Sequence, residues 1–169
     1  IILKLEKIID NNLYFFLLKA FLFYIVWQIT YDYVIAPDQR IDYFLSTSVA
    51  SMTTFILSAM DWDISVSGRV VTISGFRGVE VLNECNALKL MALYSGFILA
   101  YTGNAVKKIW YVLGGIGLIY VLNVLRIVAF SLATVYFQAH WDTFHEISSF
   151  IFFYPLILWL WFKWTLLEN

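Results

Sequence analysis

The chain has 169 residues, 62% of them hydrophobic and only 14% charged, with a mean hydropathy of +0.77. A soluble domain carries about 25% charged residues, so this deficit, together with apolar runs long enough to cross a bilayer, marks an integral membrane protein. The net charge of −1 excludes the basic footprint of a nucleic-acid binder, and one cysteine excludes an internal disulfide and a cysteine-held zinc.

Ile1 rather than Met opens the sequence, so a short preceding stretch is expected. Residues 13–35, "LYFFLLKAFLFYIVWQITYDYVI", read as a first span. The run is too long for a signal-peptide core and lacks a small-residue cleavage site. The polar break "APDQR" follows. Residues 42–60 then carry seven Ser and Thr, with apolar residues at roughly helical spacing, which predicts an amphipathic helix lying in the interface. "DISVSGRVVTISG" (63–75) alternates about Ser67-Gly68 like a short hairpin and is too polar for lipid.

Three further spans are expected over about 85–101, 109–137 and 147–167. The predicted fold is therefore an all-α membrane protein, a single domain over 1–169. It has about four transmembrane helices, an outer interfacial helix and a short outer β-hairpin. Lys4, Lys7, Lys107, Lys108 and Lys163 then share one side, cytoplasmic by the positive-inside rule, with both termini there. The hairpin and the polar residues around Cys85 face outward, and membrane lipid surrounds the spans.

Three chemically capable residues fall at one depth under this orientation. Cys85 opens the second span. Arg126 lies 18 residues after Lys108, roughly 27 Å along a helix at about 1.5 Å per residue, near the outer edge of the hydrocarbon. His145 sits just before the last span re-enters, and His140 competes with it. A thiolate nucleophile, a histidine general base and an arginine that stabilises an oxyanion form a set suited to acyl transfer without a metal or cofactor.

Each residue also has a structural reading. Cys85 can be a small packing residue, Arg126 a snorkelling cation and His145 a helix-start residue. Lys89, one turn into the helix, can tune the thiol or hold the helix at the interface. Glu84 and Glu80 can be solvated or paired with Arg69 or Arg77. Asn123 can hold the Arg126 guanidinium or bond across helices.

The stretches "ECNALKLMALYSGFILAY" and "VLNVLRIVAF", followed by a histidine opening the final helix, resemble the exosortase/archaeosortase family of prokaryotic membrane proteins. The likeness runs over about residues 79–161, and the short form is similar to the compact branch of Bacteroidetes-type bacteria. It implies a cysteine transpeptidase in the cytoplasmic (inner) membrane with its active site facing the periplasm or outside. The implied partners are membrane-anchored substrates carrying a C-terminal motif, a transmembrane helix and a basic tail. Residue by residue, the family's Cys, Arg and His match Cys85, Arg126 and His145. Many members have Ser-Gly after the cysteine, where this chain has Asn86-Ala87.

Two other classes compete. A metal-dependent membrane hydrolase would use His140, Asp142, His145 and Glu146 as ligands, although there is no HExxH and Cys85 and Arg126 would have no role. A non-enzymatic assembly or transport subunit would need only the spans, although no Gly/Pro-broken helix pair marks a transport site.

Overall fold

The computed structural model describes residues 2–137, 147–148 and 150–168, with side chains from residue 12 onward. His140, His145, Asp142 and Glu146 lie outside the described residues.

Helix α1 (Ile2–Thr30) continues through a π-helical segment, Tyr31–Ile35, into one turn, Ala36–Asp38, with a proline in that turn. Gln39, at φ 57°, breaks the helical path before α2 (Arg40–Ala59). Strands β1 (Ile64–Ser67) and β2 (Val70–Ile73) form the expected hairpin, paired Ser67↔Val70 around Gly68 and Arg69. The tight turn uses the left-handed φ of 58° at Gly68. A third strand, β3 (Val79–Glu80), pairs antiparallel with β2 and was not expected from the sequence. A 3₁₀ turn (Asn83–Cys85) leads to α3 (Leu88–Ala100), and then come α4 (Ala105–Tyr136) and α5 (Tyr154–Glu168).

Among the described residues three stretches are long and apolar enough to cross a membrane: Asn12–Asp38, Ala105–Tyr136 and Phe150–Glu168. The expected second span is shorter. Helix α3 has 13 residues, roughly 20 Å at about 1.5 Å per residue, against a hydrocarbon core of about 30 Å. The apolar run from Cys85 is broken because Ala87 adopts φ 65°, so regular helix starts only at Leu88.

Helix α2 is amphipathic as expected, but its polar side is turned inward. Asp42, Ser46 and Thr53 are buried beside Val49, Ala50 and Leu57, while Phe44 and Phe55 are 73% and 69% exposed. Lipid is as apolar as any core, so a helix loses little by showing phenylalanine outward and keeping hydroxyls in protein.

Two cores share the length of α4. One joins Val49 and Ala50 of α2, Val71, Val79 and Val81 of the sheet region, Cys85, and Val124, Ile127 and Phe130 of α4. The other joins Met91, Tyr94 and Ile98 of α3 to Ile119 of α4 and to Ile157, Leu160 and Trp164 of α5. Its helices approach closely because Gly115 leaves room for Tyr94, whose ring carbon would lie 2.2 Å from a Cβ there. At that end Asn104 caps α4, its Oδ1 accepting from the N–H groups of Val106 and Lys107 at 3.0 and 3.2 Å. The Lys108 ammonium donates to the Leu99 carbonyl at 3.3 Å and to the Tyr101 carbonyl, covering the negative end of α3.

Candidate active site

Cys85 ends the 3₁₀ turn, and its N–H donates to the Leu82 carbonyl at 2.8 Å. Its side chain is 5% exposed. Two asparagines fix the backbone on either side of the thiol. Asn123 of α4, fully buried, donates from Nδ2 to the Cys85 carbonyl at 2.9 Å. Asn86, also fully buried, donates from Nδ2 to Asp42 Oδ1 at 2.6 Å, and its Oδ1 accepts the Leu88 N–H at 2.9 Å. The turn is thus tied to α2 through Asp42 and to α4 through Asn123. Buried polar groups that find partners in this way rigidify what they join.

Arg126 lies three residues beyond Asn123 on α4 and is 4% exposed. Its Nε donates to Ser148 Oγ at 3.1 Å, and its guanidinium carbon sits 5.0 and 5.4 Å from the Phe130 and Phe153 ring centres. Aromatic faces and a hydroxyl therefore hold a cation away from water. The guanidinium and the Cys85 thiol are within electrostatic reach of each other. Burial pushes the thiol up from its ordinary value, Arg126 pulls it down, Glu84 adds to the rise, and the Leu82 hydrogen bond lowers it. The balance is upward, so the resting thiol keeps its proton at neutral pH and its attack needs a base.

The thiol borders a cleft of about 360 Å³, lined by Gly78, Val79, Glu80 and Leu82 of the sheet edge, with Arg77, Cys85 and Phe130. Among the described residues no group of three or more His, Cys, Asp or Glu could hold a metal ion. The site thus combines a buried thiol that borders a cleft with a buried cation within electrostatic reach.

The family model described as transmembrane exosortase matches residues 11–162. The chain belongs to the transmembrane exosortase family. No curated protein and no solved structure matches it.

Within this exosortase-family chain the sequence-derived site residues fare differently. Cys85 and Arg126 are both buried and lie within electrostatic reach of each other. Asn123 bonds across to the Cys85 carbonyl rather than to the guanidinium. Glu84 is exposed, and Glu80 pairs with Arg69 at 2.9 Å. Lys89 turns toward α1, its ammonium 4.7 Å from the Tyr31 ring centre. There it lines a separate hollow of about 370 Å³ with Phe23, Trp27 and Gly96, which Cys85 does not reach. Asn86 acts through Asp42, and Asp42 and Ser148 had not been singled out. Asp42 carried one usable signal, a carboxylate opening the 42–60 stretch, which is otherwise free of charge. Ser148 carried none. Ala87 occupies a left-handed position that glycine fills without strain, which gives a backbone reason for the Ser-Gly common at this place in the resembling family.

Proposed function

We propose that the chain is a cysteine transpeptidase or peptidase that cleaves C-terminal sorting signals of membrane-anchored proteins on the outer face of the cytoplasmic membrane. One observation carries this reading. The only thiol borders a cleft, and a buried, permanently charged guanidinium from a distant part of the sequence lies within electrostatic reach of it.

In the proposed reaction Cys85 Sγ attacks the scissile carbonyl carbon, forming an S–C bond, and His145 takes the thiol proton. The Arg126 guanidinium stabilises the resulting oxyanion. His145 then returns the proton to the leaving amine as the C–N bond breaks, leaving a thioester. An acceptor amine or water attacks that carbonyl, the S–C bond breaks, and Sγ regains a proton. The basic tail of the substrate helix stays on the side of Lys107 and Lys108, and the sorting motif meets the cleft on the other.

The test is trapping. Cells expressing Cys85→Ala with membrane proteins that carry helix-plus-basic tails should accumulate one or more of them uncleaved. Wild-type cells should process the same proteins whether or not a chelator is present. Processing that survives Cys85→Ser, Arg126→Ala and His145→Ala together would sink the proposal. Chelator-sensitive processing would move the chemistry to the His140–Glu146 segment.

A further inference from the structure

The three-stranded sheet stops at β3, in the order β1-β2-β3. Strand β3 pairs with β2 as Val70↔Glu80 and Val71↔Val79, and the Val81 N–H donates to the Arg69 carbonyl at 2.9 Å. In an antiparallel ladder, pairs that exchange hydrogen bonds alternate with pairs that do not. Arg69–Val81 belongs to the first kind, so Val71–Val79 does too, and Val70–Glu80 is the non-bonded pair between them. The main-chain N–H and C=O of Glu80 therefore point away from β2. No hydrogen bond among the described residues takes up either group.

The side they face is the cleft. Gly78, Glu80 and Leu82, the residues on the open phase of the strand, line it together with Val79, Arg77, Cys85 and Phe130, so the cleft runs along the strand edge. The alternate residues, Val79 and Val81, are buried at 4% and 0% exposure, which fixes which way the strand is turned. Beyond Glu80 the edge is closed by the thiol's own turn, because the Leu82 carbonyl already receives the Cys85 N–H. An unpaired strand edge is a template for another extended chain, and this one ends at a nucleophile.

We propose that β3 is the docking edge for the peptide that Cys85 attacks. The substrate adds as a fourth strand, bonded through the Glu80 N–H and C=O, and this addition delivers its scissile carbonyl to the thiol. The inference rests on the transpeptidase reading and adds to it a mode of recognition. Affinity comes from the substrate main chain, and selection comes from the alternate side chains that face the cleft wall.

The test uses capped tripeptide vinyl sulfones, which alkylate a thiol without any turnover, on the whole protein in detergent. Glu80→Ala removes the carboxylate and keeps the N–H. Glu80→Pro removes the N–H from the open side of an edge strand, where proline does not break the ladder. Peptidyl labelling of Cys85 should fall about tenfold from Glu80→Ala to Glu80→Pro, the effect of one lost hydrogen bond to a bound chain. Labelling by iodoacetamide should be alike in both. On the wild-type protein, N-methylating the reagent's backbone amides should reduce peptidyl labelling by a similar factor.

Equal peptidyl labelling of the two variants overturns the proposal. If Glu80→Pro also slows iodoacetamide or does not fold, the N-methyl comparison decides, and undiminished labelling there overturns it. The expected labelling pattern in a protein that cleaves nothing in cells would keep the docking edge and remove the transpeptidase reading.

Discussion

The two halves of α4 are packed by different means. Its first half meets α3 and α5 mainly through shape: Gly115 receives the Tyr94 ring beside Trp164 and Ile119, and the Tyr94 and Tyr111 hydroxyls add hydrogen bonds to the Tyr111 and Leu160 carbonyls. Its second half meets α2, the sheet and the thiol turn through an apolar cluster to which buried polar groups are added: Asn123 holds the Cys85 carbonyl, Arg126 bonds Ser148, and Ser48 of α2 meets the Tyr120 hydroxyl. Apolar contact between helices in lipid has no hydrophobic driving force, so the first half depends on close fit. The second half has a few hydrogen bonds that specify one arrangement and hold a charge where the proposed chemistry needs it.

Substitutions in each half should fail in different ways. The largest effect is expected at Arg126→Ala. Loss of a pre-placed oxyanion donor costs about 10²- to 10³-fold in turnover, read as the rate of substrate processing. The same change removes the cation that holds the thiol down. The thiol then rises further, so iodoacetamide labelling of Cys85 at fixed neutral pH slows, and its pH profile moves to higher pH. An unmoved profile would mean that the two groups do not interact.

Gly115→Ala should come next, and in stability rather than chemistry. Its methyl group collides with the Tyr94 ring, at a cost of about 3 kcal/mol in detergent unfolding. The Cys85 labelling profile should stay unchanged, since the core around Tyr94 does not contain the thiol. Asp42→Ala should cost about 2 kcal/mol, because it leaves the buried Asn86 amide without its acceptor. Asp42→Asn keeps an acceptor oxygen and should recover most of that loss; equal losses would mean that the hydrogen bond contributes nothing. The smallest effect is Tyr94→Phe, about 1 kcal/mol for the hydrogen bond to the Tyr111 carbonyl.

The sequence revealed the half of the molecule around Cys85 best where a count along the chain was enough. Eighteen residues from Lys108 placed Arg126 at the depth of Cys85, and alternation about Ser67-Gly68 placed the hairpin. Strand β3 escaped because two residues carry no readable period, and it exists only through its pairing with β2. The bond between Asp42 and Asn86 spans 44 positions, and nothing local to either residue announces it. Lys89 looked like a neighbour of the thiol by helical spacing alone. The left-handed Ala87 turns the chain between them, and the ammonium ends over Tyr31 instead.

The inward polar face of α2 bears on how the chain is made. With Asp42, Ser46 and Thr53 on one side, α2 has little to gain from entering hydrocarbon alone. Thr47 and Thr54 bond back to carbonyls of α2 itself, but Ser48 finds its partner on α4, where it meets the Tyr120 hydroxyl at 2.6 Å. A nascent chain released before residue 120 would therefore carry a helix with no stable place in the bilayer. The turn that holds Cys85 is tied to α4 through Asn123, so it is complete only once α4 is in place.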